Sequence, residues 1–264
     1  MIKLIGIPFD ANSSYLRGPA LAPSRIRQMD IDGSANAFSE NGVEIKEGVN
    51  YLDGGDLHFE SDDPAAAFSL IRKRIEEQLS GNSKIICLGG DHSVSFPLIH
   101  AYASFYQPLH VLHIDAHADL YDAFGNNPFS HASPFARIME KGLVNSLTQA
   151  GIRTLNTHQR QQAKRFNVRI IEARHFEDDF IETLQGPLYI SLDMDVLDPA
   201  FAPGVSHHEP GGLSTREVIR MIHRIKVPVV GADIVEYNPL RDINNMTAMV
   251  AYKMFKELVS VMMR

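Results

Sequence analysis

Leu112-His113-Ile114-Asp115-Ala116-His117-Ala118-Asp119 closes a hydrophobic, strand-like run with three metal-ligand side chains at alternate positions. Positions two apart on a strand share a face. Asp115, His117 and Asp119 would then point one way, and Ile114, Ala116 and Ala118 the other. Two carboxylates and an imidazole buried side by side are very unfavourable without a counter-charge, and a divalent metal supplies one. Taken alone, the triplet reads equally well as an exposed acidic loop.

Two further segments repeat the device. Residues 188–192 read as a strand, and Ser191-Leu192-Asp193-Met194-Asp195-Val196-Leu197-Asp198-Pro199 then places carboxylates two apart. Lys84-Ile85-Ile86-Cys87-Leu88-Gly89-Gly90-Asp91-His92-Ser93 is an apolar strand that breaks at a glycine pair and delivers a histidine. In a parallel sheet the carboxyl ends of strands share one edge, where ligands bind. Three such strand ends point to a polynuclear metal site.

Strand-like runs occur at 2–8, 84–88, 110–114, 148–152, 168–171, 188–192 and 227–235. Helical patterns fall between them at 64–79, 94–105, 134–141, 215–225 and 246–262. Ser214-Thr215-Arg216-Glu217 supplies a capping-box start for the fourth helix. Strands alternating with helices mean an α/β fold, a mainly parallel central sheet covered on both faces in three αβα layers. Segment 31–58, rich in glycine, asparagine and acids, reads as loop with one edge strand. No linker-like or repetitive stretch divides the chain, so a single domain over residues 1–264 is expected.

With 44% hydrophobic residues in 264, the chain can bury one large core. A formal charge of −7 without a basic cluster argues against nucleic acid and against an anionic membrane surface. It favours small, cationic partners. The one cysteine, Cys87, excludes an internal disulfide framework and suits a reducing compartment. The first apolar run is too short for a signal or membrane span, so a cytoplasmic location is expected.

The candidate ligands are His92, Asp115, His117, Asp119, Asp193 and Asp195. Four carboxylates need two divalent ions for neutrality. Residues two apart on a strand lie about 6.6 Å from each other, a span that can straddle ions about 3.5–4 Å apart. Asp115 and Asp119 would be about 13 Å apart if extended. The chain must therefore leave the strand and curl back near His117 or Ala118. Oxygen-rich ligation with two imidazoles suits Mn²⁺, or Fe²⁺ or Co²⁺, better than structural Zn²⁺ or Mg²⁺. Two ions sharing a water lower its pKa, and the chemistry implied is hydrolysis.

These motifs resemble the three signatures of the ureohydrolase (arginase/agmatinase) family: Gly89-Gly90-Asp91-His92-Ser93, Asp115-Ala116-His117-Ala118-Asp119 and Ser191 to Pro199. The likeness is nearly chain-long. It extends to Pro8-Phe9-Asp10, Ser14-Tyr15, Pro210-Gly211-Gly212-Leu213 and Val235-Glu236-Tyr237-Asn238-Pro239. It implies two Mn²⁺ ions, with Asp115 and Asp193 bridging. His92 and Asp119 would complete one ion, His117 and Asp195 the other. Asp119 would accept a hydrogen bond from the attacking hydroxide. His131 matches the loop histidine that shuttles the proton to the leaving amine, and Glu236 the glutamate facing the guanidinium. By the same resemblance, the product pair is urea and an amine, and the assembly a trimer or hexamer. His58, His100, His110, His158, His175 and His223 show no ligand spacing and read as surface or packing residues. His113 shares strand parity with Asp115 and could sit beside the ligands.

The chain most resembles the agmatinase branch. Arginases follow a Gly151-Ile152-Arg153-like segment with acids that engage the substrate's α-amino group, whereas this chain has Thr154-Leu155-Asn156. The loop 127–135 is also agmatinase-like. Agmatine, hydrolysed to putrescine and urea, is therefore the expected substrate of this linear-amidine hydrolase. Arginine, guanidinobutyrate, guanidinopropionate and guanidine are the alternatives. Val205-Ser206-His207-His208 replaces a small Gly-Thr-Pro-like family turn; it reads either as a change in the pocket or as a solvent-exposed loop. A phosphoester- or amide-cleaving binuclear hydrolase and a metal-binding pseudoenzyme are the readings from other classes.

Overall fold

The computed structural model describes residues 1–33 and 35–264. Eight strands, β1 (Ile2–Gly6), β2 (Tyr51–Asp56), β3 (Lys84–Leu88), β4 (His110–Ile114), β5 (Ser146–Ile152), β6 (Arg169–Glu172), β7 (Leu188–Asp193) and β8 (Val229–Val235), form one sheet. Their order is β2-β1-β3-β8-β7-β4-β5-β6, with every pairing parallel. Seven helices among the described residues cover it: α1 (Ala22–Ile31), α2 (Pro64–Ser80), α3 (Ser95–Ala103), α4 (Pro134–Glu140), α5 (Thr157–Arg165), α6 (Thr215–Arg224) and α7 (Met246–Met262).

The central strands are apolar on both faces, as a sheet buried between helix layers requires. In β3, Ile86 and Leu88 pack towards α1, α6 and α7, while Ile85 and Cys87 pack towards α2 and α3. In β7, Leu188, Ile190 and Leu192 face the first layer and Tyr189 the second. The three-layer α/β architecture expected from the sequence is thus present. No helix among the described residues is long and apolar enough to cross a membrane.

The expected helices and strands are recovered with ends shifted by a few residues, and the capping box at Ser214 and Glu217 is formed. The edge strand anticipated within 31–58 is β2. Two helices have no counterpart in the sequence reading. Helix α1 buries Ala22, Ile26 and Met29, a narrow stripe with Pro23 in the first turn. Helix α5 buries only Gln159, Gln162 and Ala163, so it has no apolar period to detect. Its start is fixed instead by Asn156, whose side chain accepts from the Gln159 N–H at 2.9 Å.

The order of strands places β3, β8, β7 and β4 side by side, with their carboxyl ends at one edge. Gly90, just beyond β3, is where backbones crowd most closely at that edge. The Asp91 N–H donates to the Phe9 carbonyl (3.0 Å) and the Glu236 N–H to the Gly90 carbonyl (3.0 Å). A Cβ on Gly90 would lie 1.8 Å from the Phe9 oxygen. Gly90→Ala is expected to destabilise the chain by on the order of 3 kcal/mol or more, because backbone must move. Thermal unfolding checks this, and an unchanged Tm would show that the edge tolerates the displacement.

Candidate metal centre and cavity

Each of the four central strands ends by delivering part of one cluster. After β3, His92 opens a short 3-10 turn (His92–Val94) whose preceding residue, Asp91, accepts from the Ser93 N–H. After β4 come Asp115, His117 and Asp119. Asp193 is the last residue of β7, and Asp195 lies in the turn Met194–Val196. Glu236 follows β8 directly.

The backbone corrects the expected route between the ligands. Strand β4 stops at Ile114, so Asp115, His117 and Asp119 do not lie on one extended strand face. The chain leaves the strand at Asp115, earlier than spacing suggested, and Asp119 adopts φ 49°, in the left-handed region. The extended spacing would have held the two acids too far apart, and the bend removes that distance. Asp193 and Asp195 likewise do not share a strand: the Asp195 N–H donates to Asp193 Oδ1 at 2.7 Å as the chain tightens into its turn.

All six expected ligands converge. His92 Nδ1 lies 3.0 Å from Asp115 Oδ2, 3.2 Å from Asp119 Oδ2 and 3.0 Å from Asp193 Oδ2. His117 Nδ1 lies 2.9 Å from Asp195 Oδ2 and 3.5 Å from Asp115 Oδ1. Asp115 therefore offers one oxygen to each half, the position of a bridging carboxylate. Asp193 gives the His92 half one oxygen and spends the other on Asp195.

The electrostatics fit a divalent pair. The four carboxylates and His92 are buried, and His92 Nδ1 has no hydrogen-bond partner. Burial opposes a charge on His92, yet Asp115, Asp119 and Asp193 hold its pKa well above the ordinary value. Burial beside Asp195 and Asp115 pushes the Asp193 carboxyl far up. Against the same burial, His113, His117 and His92 hold Asp115 far down. Such a cluster demands positive charge at its centre. The oxygen-rich donor set with two imidazoles suits a divalent transition ion.

His131 and Glu236 also meet. His131 Nδ1 lies 2.8 Å from Glu236 Oε1, which also accepts the His92 N–H at 2.8 Å. Burial disfavours a charged His131, but Glu236, with Asp91 and Asp119 behind it, raises its pKa to about 9. On the other side, Ser14 donates its N–H to His131 Nε2 (3.1 Å), with its Oγ at 2.7 Å. A ring that accepts at Nε2 carries its hydrogen on Nδ1. A second proton on Nε2 must displace the Ser14 N–H and use Oγ as acceptor.

Several contributors lie beyond the six converging residues; spacing had pointed to one of them, His113. His113 donates from Nε2 to Asp115 Oδ2 (2.7 Å), accepts from Gln149 at Nδ1 (2.9 Å) and stacks on Phe135 with centroids 3.8 Å apart. Its parity with Asp115 was the available signal. Asp233 lies beneath the cluster, and its signal is a lone acid inside the apolar strand β8. Ser14 falls within a segment that carries the family resemblance, though its contact with His131 has no sequence signal, and Gln149 has none at all. Of the two adjacent histidines, His207 lines the cavity, its ring 5.4 Å from that of His131. His208 turns away to the Pro203 carbonyl (2.7 Å). His110 and His223 pack on Ser146 and Glu257.

The cluster opens into a cavity of about 200 Å³ lined by Asp119, Asp193, Asp195 and Glu236, with no lysine or arginine among the described residues. Ser14, Tyr121, Thr154 and Gln159 line it further out. Such a centre at the carboxyl edge of a parallel sheet places the molecule among the metal-dependent α/β hydrolases.

A family model described as the arginase family matches residues 1–260, and the chain belongs to that family. It is 44% identical over 273 residues to the mitochondrial arginase 1 of Arabidopsis thaliana, covering 98% of this chain and 80% of that one. Agmatinase from Bacillus anthracis is 30% identical, with 98% and 90% covered. The structure of arginase from Medicago truncatula superposes with a TM-score of 0.94 at 37% identity, covering 99% of this chain and 87% of that one. The higher identities lie with arginases, against the agmatinase-branch resemblance of the loops.

Glu236 is the nearest carboxylate to the His131 ring, so neutralising it should lower the pKa of that ring. In metal-free protein, Glu236→Gln is expected to bring His131 down from about 9 by about 1–3 units. Histidine NMR titration measures this, and an unaltered His131 curve would remove Glu236 as the cause.

Proposed function

We propose that this chain hydrolyses the guanidino group of a linear guanidino compound to urea and an amine, with two Mn²⁺ ions as cofactors. The observation that carries this reading is the His131–Glu236 pair, set in the same acid-walled cavity as the His/Asp cluster. When bound, the ions supply Lewis acidity and a water that ionises near neutral pH. The ligands would be His92, Asp115 and Asp119, with Asp193, on one side and His117, Asp195 and Asp115 on the other.

The remaining steps fall to the protein. The His92 N–H and His131 Nδ1 both donate to Glu236 Oε1, which leaves Oε2 for a guanidinium N–H. That contact turns the planar group towards the cluster. Water adds to the guanidinium carbon and Asp119 takes up a proton. Carbon–nitrogen cleavage then releases the amine, which receives a proton from His131. Urea and a protonated amine balance the water and guanidinium consumed.

For the tail of the substrate we infer L-arginine, supported by the plant arginases at 43–44% identity. Ser14 and Gln159 offer uncharged donors for its carboxylate, while the Thr154 hydroxyl is committed to the Ala116 carbonyl (3.2 Å). Agmatine is the second reading, favoured by the absence of any lysine or arginine among the described lining residues. The proposal extends to a cytoplasmic trimer or hexamer acting on a small cationic substrate.

A urea-release panel with arginine, agmatine, guanidinobutyrate and guanidine tests the substrate. Arginine is expected to exceed agmatine in kcat/KM by about 10²-fold or more, the scale set by a satisfied polar contact. A preference for agmatine would replace arginine by the second reading, and phosphoester turnover without urea would overturn both. Asp119→Ala should lower kcat by about 10³-fold or more; full activity in that variant would remove its proposed role.

A further inference from the structure

His92 turns only Nδ1 towards the cluster, and what its other nitrogen does decides whether Nδ1 can serve as a ligand. Nε2 lies 3.0 Å from Ser191 Oγ, and the Ser191 hydroxyl donates to Asp233 Oδ1 at 2.7 Å. The Tyr189 hydroxyl donates to the other carboxylate oxygen at 2.8 Å. Ser191 and Asp233 are fully buried, out of contact with bulk solvent.

A hydroxyl has one hydrogen to give. With that hydrogen on Asp233, Ser191 Oγ can only accept from His92, so Nε2 carries the ring hydrogen. In the neutral ring Nδ1 is left with a lone pair directed at three carboxylate oxygens 3.0–3.2 Å away, where a proton or a metal ion can sit. A lone pair facing oxygens repels them unless a cation lies between. Reversing the chain, with a protonated Asp233 donating to Ser191 and Ser191 to Nε2, would put the hydrogen on Nδ1 and block ligation.

We propose that Asp233, acting through Ser191, is a positioning residue that fixes His92 in its Nε2–H form and so readies Nδ1 for a divalent ion. The proposal rests on the metal-centre reading above. Metal-bound imidazoles commonly donate their second N–H to a carboxylate or carbonyl; here a serine is inserted between ring and carboxylate. The other candidate histidine ligand is held differently. Among the described residues, His117 Nε2 has only Glu209 Oε1 at 3.7 Å, at the partly exposed mouth of the site. The buried relay is thus particular to His92.

The test is a Co²⁺ titration of metal-stripped, full-length protein, followed by absorption and calorimetry, alongside ¹⁵N NMR of the metal-free histidines. Asp233→Asn and Ser191→Ala should each weaken one Co²⁺ site by about 10- to 100-fold, while Tyr189→Phe, which spares the relay, should stay within about threefold of wild type. Recorded at a pH high enough to leave the His92 ring neutral, the NMR should show the Nε2–H tautomer in wild type and a mixture in the two relay variants. If Asp233→Asn does not fold, Ser191→Ala carries the same comparison, and Ser191→Thr, which keeps the hydroxyl, should restore affinity. Wild-type Co²⁺ affinity and an unchanged tautomer in a folded relay variant would overturn the proposal. Failure of the wild-type chain to bind Co²⁺ would instead overturn the metal-centre reading, and the tautomer measurement would still decide the relay.

Discussion

Four buried carboxylates, Asp115, Asp119, Asp193 and Asp195, meet around two imidazoles, and the rest of the molecule is arranged to hold that repulsion in place. Removing one carboxylate from water costs roughly several kcal/mol, and no lysine or arginine lines the site among the described residues to offset it. Ordinary side-chain packing cannot keep such groups together. Adjacent β3, β8, β7 and β4 can, because the ladder hydrogen bonds of a parallel sheet fix where each strand ends. The crossing order that inserts β8 and β7 between β3 and β4 brings distant parts of the sequence to one edge. Burial on both faces of the sheet then makes the positions rigid.

The acids and histidines that converge were legible because their chemistry is costly. A charged residue after an apolar strand has few bland explanations, and three such strand ends have fewer. Spacing also showed that Asp115 and Asp119 could not both serve from an extended chain. It misplaced the bend, since a run such as Asp115-Ala116-His117-Ala118 keeps its strand-like alternation after the strand has ended. Helix α5 was invisible for the opposite reason: it is held by an Asn156 cap and buried glutamines rather than by an apolar stripe. Ser14, Gln149 and Asp233 act from elsewhere in the chain, and only folding shows what they touch.

Backbone conformation adds a marker that residue patterns lack. Among described non-glycine residues, positive φ occurs at five asparagines (Asn82, Asn126, Asn167, Asn244 and Asn245), and at Asp119 and Glu236. Asparagine tolerates this region through its short amide; a glutamate does so poorly. Both acidic exceptions line the cavity. Glu236 is held there by its N–H on the Gly90 carbonyl and by two donors on one carboxylate oxygen. Strain of this kind persists where surrounding bonds over-determine the conformation. Here it aims a carboxylate that a relaxed strand end would direct elsewhere.

The cavity therefore has two parts with different freedom to vary. Its floor is made of strand ends whose positions the sheet dictates, so the reaction type we propose rests on the fold and the buried His/Asp cluster. Its rim is made of loops: Ser14 from the segment after β1, His131 from the segment after β4, Thr154 after β5, and His207 before α6. One polar group gained or lost there can change which tail is accepted, because an unmet buried contact is worth a few kcal/mol of discrimination. His131 joins the two parts, bonded to Glu236 on the floor and to Ser14 on the rim. A proton arriving on its Nε2 must displace the Ser14 backbone bond, so the rim loop and the proton-carrying step are mechanically linked. Variation in the rim is for that reason not confined to substrate choice; it also reaches His131, the group that gives the amine its proton in the mechanism we propose.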